Sequence, residues 1–186
     1  MIEQEIKLAF EHVEAARRAV SAAGGRLVAS RRLLDDRLFD AADARLRRAG
    51  QALRVRRDAD RTYLTFKGPI LPGPVKTREE LEMLVGDASM AEAVLASLGF
   101  RQIFRSEKYR EDYLVRTAQV TIDESPVGVF IEVEGSLEEI EVVTLLLGRT
   151  PRDFCLESYA AIWRRWCTDR GIPPGDMIFD QHISAR

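Results

Sequence analysis

The chain has 186 residues, 46% of them hydrophobic and 31% charged, with a formal net charge of −2. That size and balance fit one large globular domain or two small ones, and the near-neutral charge excludes a global basic field for nucleic acid or an anionic membrane. No apolar run approaches the roughly 20 residues of a membrane span, Met1 leads straight into a charged segment rather than a secretory leader, and Cys155 and Cys167, with only His12 and His182 beside them, lack zinc-site spacing, so a reduced, cytoplasmic protein is expected.

Residues 2–9 read as a strand in which Glu3, Glu5 and Lys7 share one face, with Ile6 and Leu8 on the other. From Glu11 to Ala23 the period becomes helical, with Val13, Ala16 and Val20 on one side, and Gly24-Gly25 stops it. An apolar stretch around Leu27-Val28, a mixed-charge stretch Arg31 to Arg37 and Leu38-Phe39-Asp40 follow, and 41–50 reads as a turn-rich connection. Residues 52–56 and 63–67 read as hairpin strands, the first with Arg54 and Arg56 on one face, the second with Tyr63, Thr65 and Lys67.

The loop Gly68-Pro69-Ile70-Leu71-Pro72-Gly73-Pro74 marks an internal boundary, after which the order of elements repeats. Thr77 to Val85 is a strand with Arg78, Glu80 and Glu82 together, and Ser89 with Glu92 reads as a capping box opening a helix that Gly99 ends. Extended segments follow at 103–113, with Lys108, Arg110 and Asp112 on one face, and at 118–123, with Thr121 and Asp123 on one face. A strand at 129–134 carries Glu132 and Glu134, a helix is expected over 137–147, and the last helix over 158–170 spaces Tyr159, Ile162, Trp163 and Trp166 as a core stripe. Pro173-Pro174-Gly175 opens an expected partly mobile tail, 173–186, after a single domain over 1–172.

Three strands thus carry a Glu-x-Glu pair, and basic strands lie between them. Two readings follow. An open antiparallel sheet would turn this face to solvent, laced by cross-strand ion pairs. A closed sheet would turn it inward, where unpaired charge costs several kcal/mol per group, so the interior would be wet and hold a ligand of mixed charge. Arginine and lysine suit phosphate oxygens, and carboxylates suit Mg²⁺ or Mn²⁺, which also bind phosphates. No Gly-x-x-x-x-Gly-Lys-Ser/Thr phosphate loop is present.

Glu3-x-Glu5-x-Lys7 resembles the N-terminal signature of the CYTH family, named for class IV adenylyl cyclases and thiamine triphosphatases, among the triphosphate tunnel metalloenzymes. Leu53-Arg54-Val55-Arg56, Leu64-Thr65-Phe66-Lys67-Gly68, Arg78-Glu79-Glu80-Leu81-Glu82, Lys108-Tyr109-Arg110, Ile122-Asp123-Glu124, 128–134 and Ser158-Tyr159 continue the likeness in order over about residues 2–170. The resemblance implies an α+β fold, an eight-stranded antiparallel β-barrel with helices packed outside, binding a triphosphate with Mg²⁺ or Mn²⁺. It implies Glu3, Glu5 and Glu134 as main metal ligands, with Glu132, Asp123, Glu80 and Glu82 as further ligands or orienters. Lys7, Arg54, Arg56, Lys67, Arg78, Lys108 and Arg110 would hold phosphates, and Glu5, Lys67 and Arg56 would carry the chemistry.

One departure stands out. Where many relatives have a tyrosine, which in some triphosphatases helps orient a lysine, this chain reads Leu38-Phe39-Asp40-Ala41, with Tyr63 and Tyr113 as the substitutes at hand. The implied activity is hydrolysis of tripolyphosphate, thiamine triphosphate or a nucleoside triphosphate. The alternatives are a class IV adenylyl cyclase making cyclic AMP and pyrophosphate from ATP, and a protein that sequesters polyphosphate or nucleotide without turnover. No nucleic-acid or membrane partner is expected. A homodimer would cover apolar strand faces left exposed.

Overall fold

The computed structural model describes residues 1–179; His182 and the rest of the expected tail, 180–186, lie outside the described residues. The elements run β1 (Ile2–Phe10), α1 (Val13–Ala22), β2 (Arg26–Ala41), α2 (Arg45–Arg48), β3 (Ala52–Asp58), β4 (Arg61–Lys67), β5 (Lys76–Val85), α3 (Ala88–Ser97), β6 (Phe100–Val115), β7 (Ala118–Ser125), β8 (Gly128–Glu134), α4 (Leu137–Leu146), a 3₁₀ turn (Pro151–Asp153), β9 (Phe154–Cys155) and α5 (Tyr159–Asp169). Eight antiparallel strands follow the order β5-β4-β3-β2-β6-β7-β8-β1, and β1 pairs back onto β5, with Glu3 opposite Arg78 and Glu5 opposite Lys76. The sheet is therefore a closed barrel, and its alternating charged face is the inside one. β9 adds a short ninth strand beside Lys7 and Leu8.

The repeat seen in the sequence has a structural counterpart. The strands after the first two long helices, β2 and β6, are each 16 residues long and pair with each other, while β1 and β5 pair to close the barrel. Register shifts at Leu27/Ala29, Ala29/Arg32 and Leu38/Phe39 bend the long pair, as bulges do.

Because the inside is polar, the hydrophobic core lies outside the barrel. Ile6, Leu8, Val120, Ile122, Ile131 and Val133 point outward and are buried under α1 and α4, which contribute Ala16, Val20, Ile140 and Val143. Gly24, at φ +76°, and Gly25 end α1; a Cβ at Gly25 would meet Val20 Cγ1 at 2.4 Å, so the chain passes too close there for any side chain. Under α3, Phe39, Val55, Ala88 and Leu95 form a second cluster. The N-cap of α3 is Asp87, whose side chain accepts from Met90 N, rather than Ser89; Glu92 is drawn off to Arg37 and Arg57. The capping box belongs instead to α4, between Ser136 and Glu139. The connection after β2 contains the one-turn α2, tied by the Asp40 carboxylate to the amides of Ala41, Leu46 and Arg47.

Not every outward apolar residue is covered. Leu81 and Met83 on β5 and Met90, Val94 and Leu98 on α3 are all more than half exposed. They are joined through Leu64, which pairs with Met83 and packs on the α3 cluster.

Within the expected partly mobile tail, residues 173–179 make defined contacts with the domain. Trp163 Nε1 donates to Gly175 O at 2.8 Å, and Met177 exchanges backbone hydrogen bonds with Arg105 and Glu107 beside the part of β6 that β7 leaves unpaired. Met177 is fully buried with Trp163 and Cys167. Met177→Ala is expected to cost about 2–5 kcal/mol in urea unfolding, whereas a loose tail would leave the midpoint unchanged.

Candidate functional site

The barrel interior is a cavity of about 610 Å³ lined by nine basic side chains (Lys7, Arg32, Arg54, Arg56, Lys67, Lys76, Arg78, Lys108 and Arg110) and nine acidic ones (Glu3, Glu5, Asp36, Asp58, Glu80, Glu82, Asp112, Glu132 and Glu134). Its volume is in the range of small-molecule sites. Every site residue expected from the sequence lines it except Asp123, which lies fully buried beneath the lining side chains of Lys108, Arg110 and Tyr159.

The strand period places them. On β1, β5 and β8 every second residue points inward, and the register sets Glu5 opposite both Glu134 and Lys76, and Lys7 opposite Glu132. Two zones result. In the first, Lys67 Nζ lies 3.0 Å from both oxygens of Glu3 and also meets Glu80, while Glu5 pairs with Lys76 and, at 3.4 Å, with Lys7. Arg78 Nε donates to Gly68 O at 3.0 Å and so ties the Pro/Gly loop to the site.

The second zone centres on Asp123 and Glu132. Lys108 Nζ reaches Asp123 at 2.6 Å, Arg110 donates through Nε and Nη2 to the same carboxylate at 2.6 Å each and also to Glu132, and Lys7 lies 3.1 Å from Glu132. Beside them Arg56 holds Asp36 in a two-bond fork at 2.6 and 2.8 Å. Arg54 donates to Thr65 and Glu82.

The carboxyls of the interior divide by proton affinity, with Glu5, Glu80, Asp123 and Glu132 lowered and Glu3 and Glu134 raised. Burial opposes ionisation of Glu132 and Asp123, but Lys7, Lys108 and Arg110 outweigh it and hold both carboxyls below their ordinary range. Burial likewise opposes ionisation of Glu5, yet Lys7 and Lys76 hold it at about 2. Burial, then the neighbouring Arg110, lower Lys108 to about 8. Glu3 is pushed up to about 8 by burial, by a hydrogen bond shared with Glu80 and by the charge of Glu5. Glu134 is raised by burial and by Glu5 and Glu80. A cluster of mutually repelling carboxylates results, which is the chemistry of a cation site.

Whether this donor set fits a hard divalent ion is decided by Glu3, Glu5, Glu80 and Glu134. As the side chains stand, no three acidic, His or Cys groups converge on one point among the described residues, because lysines hold Glu3, Glu5 and Glu80. All four offer oxygen only, come from adjacent strands and include two with raised proton affinity. The set fits Mg²⁺ or Mn²⁺ in chemistry, with the ion taking the place of the lysines and the shared proton.

Among the lining residues not expected at the site are Lys76, Asp36 and Tyr159. Lys76 shares the face of Arg78, Glu80 and Glu82, but the strand was expected to begin at Thr77. Asp36 alternates with Leu34 and Leu38, so its strand shows no charged inner face. Tyr159, expected in the core stripe, lines the cavity instead: its hydroxyl donates to Asp123 Oδ2 at 2.8 Å and its ring faces Lys108 and Lys7. Of the two tyrosines considered as substitutes, Tyr63 lines the cavity, whereas Tyr113 packs against the outer core and donates to Glu111 at 2.7 Å.

The comparisons with known proteins agree on this architecture. A family model described as CYTH domain matches residues 1–145. A Methanocaldococcus jannaschii protein described as a candidate adenylate cyclase is 29% identical over 141 residues, covering 75% of this chain and 80% of its own. Among solved structures, a Vibrio parahaemolyticus protein with a similar description superposes with a TM-score of 0.75 at 18% identity, covering 87% of this chain and 97% of its own. A Hippeastrum adenylyl cyclase homologue, whose description gives it a dominant triphosphatase activity, superposes with a TM-score of 0.66 at 20% identity, covering 89% and 95%.

A pH dependence follows from Glu3. Its carboxyl has an ordinary value of 4.5 and about 8 when folded, so its contribution to stability is complete below about 4.5 and is lost as pH rises through about 8. With EDTA present, the wild-type unfolding free energy should fall between pH 6 and pH 9. Glu3→Gln should flatten that slope and exceed wild type at pH 9 by more than about 1.4 kcal/mol, the worth of a tenfold change in proton affinity. An unchanged slope in the variant would place the shared proton elsewhere.

Proposed function

The chain belongs to the CYTH family, and from that premise we propose that it is a divalent-metal-dependent hydrolase removing a terminal phosphate from a triphosphate held in the barrel. The observation that carries this reading is the divided lining, with carboxylates crowded at Glu3, Glu5, Glu80 and Glu134 and cations gathered at Lys7, Arg54, Arg56, Lys108 and Arg110. Binding of phosphate alone would need only the cations.

In this reading Lys7, Arg54, Arg56, Lys67, Arg78, Lys108 and Arg110 hold phosphate oxygens. Arg56, fixed by its fork to Asp36, and Lys67 face the charge that spreads over the transferred group. Glu3, Glu5 and Glu134 would hold the ion, with Glu80 and Glu82 beside them; Asp123 and Glu132 orient Lys108, Arg110 and Lys7. When bound, a divalent ion supplies charge neutralisation at the phosphates and a lowered pKa for water. The candidate substrates are tripolyphosphate, thiamine triphosphate and nucleoside triphosphates.

The description of the Methanocaldococcus jannaschii relative favours a second reading, an adenylyl cyclase. The same cavity would then present the α-phosphorus of ATP to the ribose 3′-hydroxyl, and pyrophosphate would leave. A protein that only sequesters the anion is the third reading.

Phosphorus NMR of the protein with ATP, and separately with tripolyphosphate, in Mg²⁺ and then Mn²⁺, separates the three. Orthophosphate as first product is expected, and EDTA should abolish it. Pyrophosphate with cyclic AMP would replace the hydrolase by the cyclase, and metal-independent binding without product would leave the sequestering protein. Glu5→Gln should lower kcat at least about 100-fold and keep the circular dichroism of the wild type. Its partner Lys76 already has a proton affinity lowered by burial and sheds its charge more readily than an exposed lysine.

The uncovered stripe of Leu81, Met83, Met90, Val94 and Leu98 is the surface we assign to a homodimer, since an apolar helix face is normally buried. Sedimentation should show a dimer that Met83→Lys with Leu98→Lys dissociates; a wild-type monomer at all concentrations would remove the assignment.

A further inference from the structure

Tyr159 is the first residue of α5 and lies beyond the residues that the family model matches. Its neighbours on the helix, Ile162, Trp163 and Cys167, are buried. Tyr159 is only half-buried, and it borders the cavity. Three contacts fix it. Its ring meets Phe130 edge-to-face at 5.6 Å, its hydroxyl donates to Asp123 Oδ2 at 2.8 Å, and its face lies under two ammonium groups, Lys108 Nζ at 4.5 Å and Lys7 Nζ at 5.3 Å from the ring centre.

Those two lysines come from β6 and β1, which β7 and β8 separate in the sheet. Two cations inside one cavity repel each other. The carboxylates that offset this are Glu132, 3.1 Å from Lys7 and 4.0 Å from Lys108, Glu5, 3.4 Å from Lys7, and Asp123, 2.6 Å from Lys108, and to them is added the negative face of the one ring both lysines share. A carboxylate partner competes with a bound phosphate for an ammonium group only by leaving it. An aromatic face attracts the cation without bringing a competing negative charge, so the ammonium donors not turned to a carboxylate remain available to an anion.

We propose that Tyr159 is a positioning residue whose ring face gathers Lys7 and Lys108 into a two-pronged seat for one phosphate group of the substrate, its hydroxyl anchoring the ring on Asp123. This rests on the reading of the cavity as a triphosphate site. It assigns the C-terminal helix a part in phosphate binding that its stripe of apolar residues does not show.

The test is a double-mutant cycle read by calorimetric binding of tripolyphosphate, with urea unfolding of each variant as the control. Tyr159→Leu should weaken binding about 10-fold. Tyr159→Phe keeps the ring and should stay within about 3-fold of wild type. In a Lys108→Ala background, Tyr159→Leu should weaken binding by clearly less than in wild type, because one of its two charges is gone. Equal loss in both backgrounds, or a Phe variant as weak as the Leu variant, would overturn the ring's role while leaving the phosphate site standing. If Lys108→Ala itself leaves tripolyphosphate binding unchanged, the triphosphate reading of the cavity fails and the proposal goes with it.

Discussion

The structure depends on one constraint: charge enclosed by a barrel must be neutralised from within. Isolated ions in a protein interior cost several kcal/mol each, and breaking a buried pair costs about 3–5 kcal/mol. The interior meets this with a lattice in which most groups serve two partners. Glu5 holds Lys76 and Lys7; Lys7 also meets Glu132; Glu132 meets Arg110; Arg110 and Lys108 share Asp123. The nine basic and nine acidic side chains of the lining express the same balance.

Everything outside the barrel follows from the polar inside. An ordinary sheet protein buries its apolar faces between layers, whereas here most apolar strand residues point away from the barrel axis and must be covered there. α1 and α4 cover Ile122, Ile131 and Val133, and α3 covers Val55. The helices are thus the outer half of a core whose inner half is the back of the barrel wall. The same inversion makes the C-terminal segment structural: where β7 ends, Met177 takes up the free edge of β6 and joins Trp163 in a third cluster.

Strict alternation made most of this legible from the amino-acid order. β1, β3, β5 and β8 each carry charged residues at every second position, so their inner faces, and with them Glu3, Glu5, Arg54, Arg56, Glu80, Glu82, Glu132 and Glu134, are visible as a pattern. Alternation fails where the inner face mixes character. β2 turns Arg32, Leu34, Asp36 and Leu38 inward, and its bulges shift the phase, so neither the strand's length nor the role of Asp36 can be seen. Tyr159 was hidden for a different reason. Helical spacing groups it with Ile162, Trp163 and Trp166, but a residue on the first turn of a helix can lean past the packed stripe, and only the tertiary contact with Asp123 reveals that it does. The cap of α3 falls to Asp87, two residues ahead of Ser89, and Glu92 pairs instead with two arginines across the helix–sheet boundary.

The lattice also bears on how a triphosphate and a metal ion would enter under the proposed function. An anion that takes Lys7, Lys67 or Arg54 strips a partner from Glu132, Glu3 or Glu82, and Glu3, whose one ion-pair partner among the described residues is Lys67, is left uncompensated. A divalent cation that takes Glu3 and Glu5 likewise leaves Lys67 with Glu80 alone and strands Lys76. Each alone trades one ion pair for another and leaves a charge behind. Arriving together they exchange partners completely: phosphate oxygens satisfy the released lysines and arginines, and the metal satisfies the released carboxylates. Reciprocal coupling is then a consequence of linkage, each ligand raising the affinity of the other by the same factor. The raised proton affinity of Glu3 belongs to the same logic, since in the ligand-free barrel a proton stands in at the acidic cluster for part of the positive charge that the ion would bring.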